Sequence, residues 1–274
     1  MRVVASLNRP HHPPRRLLTS NRKRHAQAHV IKWPNRPKLA CRCEQSQAIE
    51  PLAELRAPAR FQGVMAMSLI VIDGFLAEPE LLRQRALGLK YENAGTYPGR
   101  NSIERTKIDG LAEEVSFIVH EQVCEPDPPQ SHAKCRLTLA SDNEPGRIHV
   151  DPSFWSGILY LSRPENCLGG TEFYRHIPTG TDEVPRTIEE VNALGYASSS
   201  EMSHQILERD GGDRSKWEHT MTVPMRFNRL VLLRPWLWHT SGPGFGDSIE
   251  NGRLVYLMFF FKPVASGPHV ERMP

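Results

Sequence analysis

The pattern of apolar and polar positions divides the chain into an unpatterned beginning and a patterned remainder. Residues 1–64 contain no apolar run long enough for a core element or for the hydrophobic segment of a signal peptide. The first run typical of a strand is SLIVIDGFL at 68–76. Apolar residues at helical spacing then predict helices over 78–91 and over 109–123, with the segment TYPGRNS at 96–102 as a loop.

After PDPPQ at 126–130 the pattern is typical of strands, with runs of β-branched and aromatic residues separated by Gly, Pro and Asn turns. The predicted strands are KCRLTLA (134–140), RIHVD (147–151), SGILYLS (156–162), TEFYRH (171–176), TMTVPMRFNRLVLLR (220–234) and RLVYLMFFF (253–261). One helical insertion interrupts them, because Thr187 and Glu190 have the spacing of a capping box, Gly195 is a helix stop, and 200–209 is typical of a short helix.

This order of elements predicts the fold class. Two helices followed by many strands favour a mainly β protein with flanking helices, built as a double-stranded β-helix, the cupin-like jelly roll, with a helical insertion. We expect this domain to cover residues 65–274 and the preceding residues 1–64 to form a disordered extension.

Charge is distributed unevenly between these two parts. Residues 1–64 hold 13 Lys and Arg against 3 Glu, a net charge of +10, whereas the remainder holds 21 basic and 28 acidic residues, a net charge of −7. Three interpretations compete for the basic segment: an organelle transit peptide, a polyanion-binding arm, and a start codon assigned upstream of Met65 or Met67. The start-site interpretation is favoured, and nucleic-acid binding ranks last because basic tails contact phosphates with little specificity.

The cysteines and the hydropathy pattern indicate a compartment. The five cysteines, Cys41, Cys43, Cys124, Cys135 and Cys167, are odd in number and include no CxxC pair, which favours reduced thiols over a disulfide framework. No apolar stretch reaches the length of a membrane span. The sequence therefore predicts a cytoplasmic protein with no membrane association.

Two metal-binding side chains stand at the start of RIHVDPSFWSGILYLS, residues 147–162. Because side chains at i and i+2 of a strand point to one face, His149 and Asp151 are expected to project together. His239, in WLWHTSGPG, follows another apolar run and is the third candidate ligand. Two imidazoles and a carboxylate form the facial triad of non-haem Fe(II) oxygenases, although the same set also binds Zn or Mn, so the residues leave the metal open.

An arginine opens the last predicted strand. Arg253 precedes a strongly apolar run, so it is either a rim residue in water or a planar fork directed at a carboxylate inside the protein. Since buried arginines need partners, the second interpretation is favoured.

Together these motifs resemble a known superfamily. HVD, GILYLS, GGTEFY, WHTSG and GRLVYLMFFF are similar to successive strands of the Fe(II)/2-oxoglutarate-dependent dioxygenases, particularly the prolyl-hydroxylase-like branch. The resemblance covers residues 68–262. Within the branch, the chain resembles a bacterial group with a YPG loop near its start and GGTEFYRH after the HxD strand.

The resemblance implies roles for particular residues. His149, Asp151 and His239 would hold Fe(II), Arg253 would pair with the distal carboxylate of 2-oxoglutarate, and Tyr160 would hydrogen-bond that carboxylate. The implied reaction uses O2 to hydroxylate a small molecule, an amino acid or a peptide side chain while 2-oxoglutarate is decarboxylated to succinate. The carboxylate of the triad favours hydroxylation, because halogenating relatives lack it.

Two departures from the family pattern accompany the resemblance. The spacing from His239 to Arg253 is longer than usual, and residues 176–222 form an enlarged insertion. Tyr97 and Arg100 of the YPG loop, and Arg147 beside the HxD motif, have both a substrate-binding and a purely structural interpretation.

Two other functions stay open. The first is a catalytically silent, cupin-like protein that binds a metal or another ligand. The second is a nucleic-acid demethylase of the same superfamily, favoured only by the basic N-terminal segment. The oligomeric state is not predicted.

Overall fold

In a computed structural model, the described residues are 67–93, 97–142 and 146–263, together with the backbone of Val3–Val4. The predicted extension over 1–64, including Cys41 and Cys43, otherwise lies outside the described residues. The described chain is mainly antiparallel β-sheet with few helices. No helix in this part of the chain is long and apolar enough to cross a membrane.

The elements are numbered in chain order. The helices are α1 Pro79–Leu87, α2 Leu111–Val119, α3 Ile188–Ala193 and α4 Ser199–Asp210. The strands are β1 Val3–Val4, β2 Leu69–Asp73, β3 Tyr91–Asn93, β4 Arg100–Ser102, β5 Cys135–Thr138, β6 Trp155–Tyr160, β7 Gly170–His176, β8 Trp217–Pro224, β9 Arg229–Leu233, β10 His239–Ser241 and β11 Arg253–Phe260.

The strands form two sheets. The large sheet has the order β1-β2-β9-β6-β11-β5-β4-β3, and the small sheet has the order β10-β7-β8. Apart from the parallel pair β1 and β2, neighbouring strands are antiparallel. From β6 onward the chain passes back and forth between the sheets, an arrangement compatible with a β-sandwich or jelly roll.

Alternating side chains of the large sheet serve two apolar layers. On β11, Leu254, Tyr256 and Met258 pack in a core with α1 and α2, whereas Val255 belongs to a second core that it shares with Phe173 of the small sheet. This alternation is the two-residue period of a strand buried on both faces. A third cluster packs α4 against the opposite face of the small sheet.

The helices follow the apolar spacing that predicted them. In α2, the side chains of Leu111, Val115 and Val119 recur every fourth residue and are buried. The predicted insertion is confirmed as α3 and α4, and the capping box of Thr187 and Glu190 forms at the start of α3. These helices cover the small sheet and leave its inner face to the site described below.

Three local predictions were wrong. The predicted strand 220–234 is two strands, β8 and β9, which are separated by residues 225–228 and belong to different sheets. The segment 147–151 is not a regular strand, because Ile148 N donates to Gly211 O and Asp151 N donates to Pro235 O, leaving only an isolated bridge between His149 and His239. The last part of the predicted loop 96–102 is instead strand β4. Its polar residues gave no apolar signal, since β4 is stabilised by hydrogen bonds to β5 rather than by burial of apolar side chains.

Candidate metal centre

The three predicted metal ligands meet although they are far apart in sequence. His149 lies opposite His239, the first residue of β10, and the two backbones exchange hydrogen bonds of 2.9 and 3.1 Å. Asp151 follows His149 by two residues, in the HxD motif. The bridge therefore brings the two parts of the predicted triad together by backbone pairing.

The side chains converge on one point. One ligand atom from each of His149, Asp151 and His239 lies within 4.8 Å of the other two, and no other such group of three occurs among the described residues. The Asp151 carboxylate lies between the imidazoles, with Oδ1 3.7 Å from His149 Nε2 and Oδ2 3.4 Å from His239 Nε2. This set of donor atoms suits a divalent transition metal with open coordination positions.

Backbone carbonyls orient both imidazoles. The Nδ1 atom of His149 lies 3.0 Å from the carbonyl oxygen of Arg147, and that of His239 lies 2.7 Å from the carbonyl oxygen of Leu237. A carbonyl only accepts, so each Nδ1 carries a hydrogen, and Nε2, which faces Asp151, is the atom available to a metal once it is unprotonated. The same arrangement orients histidine ligands in known metal sites.

The surroundings also set the charge of the ligands. Burial alone would lower the pKa of His239, but the adjacent Asp151 carboxylate outweighs it and raises that pKa. Burial lowers the pKa of His149 to about 4, and the proximity of His239 adds to this effect. Burial alone would raise the pKa of Asp151, but His239, His149 and Ser156 outweigh it and lower that pKa to about 2. At neutral pH Asp151 is therefore ionised and His149 is neutral, which are the forms that bind metals.

The three ligands line a cavity of about 270 Å³ between the sheets. Its mouth is flanked by Tyr97, whose ring centroid lies 4.9 Å from that of His149. Its walls are mostly apolar, with Ile158, Leu257 and Phe259 on the large sheet. A cavity of this size and lining suits a small molecule.

Arg253 lies in the wall of the same cavity and is 3% exposed. Its one described hydrogen bond is a long one, from Nη2 to the carbonyl oxygen of Gly170 at 3.4 Å, and its Nε has no partner among the described residues. No carboxylate of the described chain lies within 4.0 Å of it. Burial lowers the pKa of Arg253, and the nearby Tyr160 and Glu172 partly offset that effect. Its charge is therefore not neutralised by the protein.

Tyr160 lies close to the cavity without lining it. The side chain is fully buried in the core between the sheets, and its hydroxyl shares a hydrogen bond of 2.7 Å with that of Thr171. Thr171 does line the cavity. A hydrogen bond from Tyr160 to a bound carboxylate therefore stays a prediction, and of this pair of hydroxyl residues only Thr171 lines the cavity.

Sequence reasoning missed Arg136, a second arginine of the cavity. It lies on β5, and its Nη1 donates to Asn101 Oδ1 at 2.7 Å. Arg136 lies in register with Val255 of β11, two residues from Arg253. The alternation of KCRLTLA placed Arg136 on a face opposite to Cys135 and Leu137, and that polar position was the available signal.

Other residues with two interpretations have structural partners. His176 is buried and hydrogen-bonded to Asp210 at 3.0 Å. Arg100 pairs with Asp142, and Arg147 donates to the carbonyl oxygen of Leu207. Four tryptophans near the β core do not line the central cavity; they are Trp155, Trp217, Trp236 and Trp238.

Comparison with solved structures finds a distant similarity. HygX from Streptomyces hygroscopicus, crystallised with nickel and 2-oxoglutarate, matches with 11% identity and a TM-score of 0.36, over 72% of this chain and 84% of HygX. The structure of HygX with nickel, 2-oxoglutarate and hygromycin B matches over the same shares, with 14% identity and a TM-score of 0.36. No curated protein sequence matches the chain.

A family profile covers most of the sequence. The profile described as "Family of unknown function (DUF6445)" matches residues 57–260, a range that includes β2 to β11, the triad and Arg253. The chain belongs to this family, DUF6445.

Proposed function

We propose that this protein is a non-haem Fe(II)- and 2-oxoglutarate-dependent dioxygenase that hydroxylates a small molecule, an amino acid or a peptide side chain. The observation that carries the proposal is the pairing of two features in one cavity. The His149, Asp151 and His239 cluster is suited to a divalent metal, and Arg253 is a buried cation without a carboxylate partner.

The donor chemistry supports a resident metal with open positions. A closed structural zinc site uses four ligands and favours thiolates, whereas this cluster has three ligands and no cysteine. Two imidazoles and one carboxylate form the facial set used by Fe(II) oxygenases. His149, Asp151 and His239 would hold the ion.

The state of Arg253 supports a dianionic cosubstrate. A guanidinium remains protonated in a protein, so burial without a counter-charge is costly unless a ligand supplies one. A carboxylate that accepts charge-assisted hydrogen bonds from the Arg253 guanidinium would remove that cost. The distal carboxylate of 2-oxoglutarate fits this requirement, with the Thr171 hydroxyl as a further donor.

Strand order supports the finer description of the fold. The central strands β5, β11, β6 and β9 form one sheet, while His149, β10, β7 and β8 are paired in the other. A jelly roll alternates strands between its sheets in this manner and opens at one end. We therefore infer a double-stranded β-helix for this region.

The proposal assigns separate tasks to the parts of the cavity. When bound, iron and 2-oxoglutarate supply the oxidation, with decarboxylation of the cosubstrate to succinate coupled to use of O2. The protein orients both groups, through the imidazoles fixed by backbone carbonyls and through Arg253. The walls of Ile158, Leu257 and Phe259 limit access of water.

An anaerobic titration of the full-length protein with Fe(II) and then 2-oxoglutarate tests the proposal. We expect a weak visible charge-transfer band from the chelated ketoacid. The band should be absent in His149→Ala and should require much more 2-oxoglutarate in Arg253→Met. The exposed His204, whose side chain is 78% exposed, provides the matched control His204→Ala, which should behave as the wild type.

Each alternative predicts a different result. If the protein binds metal but shows no charge-transfer band and consumes no 2-oxoglutarate in air, it is a metal-binding or ligand-binding protein. That result would overturn the role proposed for Arg253. Binding of DNA or RNA that survives removal of residues 1–64 would favour a nucleic-acid substrate. The net charge of −7 on the remaining chain is unfavourable to such binding.

A further inference from the structure

The cavity contains a second arginine that the proposed function does not use. Arg136 on β5 projects from the position opposite Val255 and lines the cavity with the metal ligands. Two neutral groups hold its guanidinium: Nη2 donates to the carbonyl oxygen of Pro98, and Nη1 donates to Asn101 Oδ1 at 2.7 Å. Asn101 is itself buried and lies in register with Arg136 across β4 and β5.

No acidic side chain neutralises this guanidinium. Among the described residues, no carboxylate lies within 4.0 Å of Arg136, and Asp142 pairs instead with Arg100 at 3.6 Å. Burial lowers the pKa of Arg136, the proximity of Arg253 lowers it further, and Asp142 opposes both effects. Neutral acceptors thus fix the position of the cation while its charge remains available to a ligand.

The sum of the charges in the cavity indicates which charge a further ligand would supply. The charged side chains among its described lining residues are Arg136, Arg253 and Asp151, which sum to +1. A divalent metal adds +2, and the two carboxylates of 2-oxoglutarate subtract the same amount. One positive charge is left, and a low-dielectric cavity favours a ligand that cancels it.

The position of Arg136 indicates which ligand supplies that charge. Its partner Pro98 adjoins Tyr97, whose ring packs on His149 at the mouth of the cavity. Arg253 instead contacts Gly170 at the first residue of β7. Tyr97 is 44% exposed whereas Gly170 is buried, so the contacts of Arg136 lie toward the exposed side of the cavity and that of Arg253 toward its buried side.

We propose that Arg136 binds the carboxylate of the substrate, and that the substrate is a small organic monocarboxylate with an apolar body. This inference rests on the proposed function and names its substrate class. The remaining charge of +1 matches one carboxylate, whereas a phosphate monoester carries about −1.5 to −2 at neutral pH. The apolar body would lie against Leu257 and Phe259, which line the same cavity.

The test uses full-length protein loaded with Zn(II) and 2-oxoglutarate, so that binding is measured without turnover. The probes are four acids and their primary amides: benzoate, phenylacetate, 3-phenylpropionate and hexanoate. Ligand-observed NMR gives the affinity of each. We expect the acids to bind about tenfold or more tightly than the amides, because an amide cannot form the charge-assisted hydrogen bonds.

Three variants test whether the preference for acids over amides depends on Arg136. Arg136→Gln should bind acids and amides alike, while Arg136→Lys should keep part of the preference because it retains the charge. Arg175→Gln is the matched control, since the side chain of Arg175 is 45% exposed, pairs with Asp182 and does not line the cavity. Its acid preference should equal that of the wild type. Zinc affinity and near-UV circular dichroism report whether each variant is folded. If Arg136→Gln does not fold, Arg136→Lys tests the inference instead, and we expect it to bind the acids more weakly than the wild type does.

Several results would overturn the inference. Equal binding of acids and amides by the wild type, no binding of any acid, or an acid preference that survives Arg136→Gln would each do so. If Arg136→Gln weakens 2-oxoglutarate binding as much as Arg253→Met, Arg136 belongs to the cosubstrate site instead. Failure of the wild type to bind 2-oxoglutarate is a separate result, because it overturns the proposed function.

Discussion

The metal-ligand cluster and the two arginines occupy one cavity. They differ in how many of their polar and charged atoms have a partner within the protein. At the cluster, both imidazole Nδ1 atoms bond to carbonyl oxygens, and Asp151 accepts a hydrogen bond from Ser156 at 2.6 Å. At the other region, Arg253 has one long hydrogen bond and an unpartnered Nε. The cluster is nearly complete in the protein alone, whereas the arginine region lacks negative charge.

This difference reflects the separate requirements of a metal site, which must orient its ligands, and of an anion site, which must leave its cation free to bind. A metal site must hold its donors in place before the ion arrives, so its outer hydrogen bonds come from the protein itself. An anion site gains affinity when its cation has no competing carboxylate, since any such partner would have to be displaced. The contrast leads to five predictions, from the largest expected effect to the smallest.

Removing a metal ligand should have the largest effect. Asp151→Ala deletes the carboxylate between the two imidazoles, and we expect the affinity for Fe(II) or Mn(II) to fall by more than about 100-fold, because even outer partners of metal ligands contribute 10–100-fold. Calorimetric titration under anaerobic conditions measures this. His204→Ala should bind metal normally, and full metal binding by Asp151→Ala would contradict the assignment of the cluster.

Removing the charge of Arg253 should weaken 2-oxoglutarate and leave the metal unaffected. We expect Arg253→Met to lower the affinity for 2-oxoglutarate by roughly 10- to 100-fold, the size of a lost charge-assisted hydrogen bond. Titration of the metal-loaded protein measures it, with Arg175→Gln as the control. A parallel loss of metal affinity would show that the two regions are not separate.

Unfolding experiments compare Arg253 with a fully partnered arginine. Arg234 is also buried, but it bonds to the carbonyl oxygen of Met67 at 3.1 Å, pairs with Glu121 and lies 4.0 Å from the ring centroid of Trp155. Arg234→Met should lower the free energy of unfolding by about 2 kcal/mol.

Arg253→Met should change the same free energy by less than about 1 kcal/mol, or raise it, because it removes a buried charge that has no counter-charge. Urea unfolding of both variants, without ligands, gives the comparison. Equal destabilisation of the two variants would mean that the protein already satisfies Arg253.

A pair of serines tests the support of Asp151. Ser156→Ala removes the hydrogen bond to Asp151 Oδ2, and we expect about tenfold weaker metal binding. Ser153 bonds to Ser156 at 2.9 Å rather than to Asp151, so Ser153→Ala is the matched control and should bind metal within about twofold of the wild type. If both variants bind alike, Ser156 does not orient the ligand.

The smallest effect concerns an ion pair outside the cavity. Asp73 accepts hydrogen bonds from Arg229 at 2.6 and 2.9 Å, and this contact, despite the opposing effect of burial, lowers the Asp73 pKa below its ordinary 3.8. Such a group stabilises the fold above pH 3.8, and this contribution is lost as the pH falls below that value.

Asp73→Asn should therefore cost about 1 kcal/mol of unfolding free energy at neutral pH and less in acid. Urea unfolding of the variant and the wild type near neutral pH and near pH 3 measures the difference. A cost that does not change with pH would assign the effect to packing instead of charge.

The success of the sequence predictions depended on how local each signal was. The capping box of Thr187 and Glu190 lies within one helical turn, and it formed as predicted. Val115 and Val119 follow the helical period and are buried on one face of α2. The strand predicted at 147–151 failed because its amides bond to Gly211, His239 and Pro235, three segments whose positions no local pattern reports.

Sequence alone determined the alternation that buries the strands on both faces, the helical periods, and the i, i+2 spacing of His149 and Asp151. These are properties of a few consecutive residues, set by backbone geometry. The tertiary structure decided that His239 faces His149, that Arg253 is buried without a carboxylate partner, and that Arg136 enters the same cavity. Those features depend on which distant strands pair and on which charges are absent nearby, and side-chain periodicity carries no information about either.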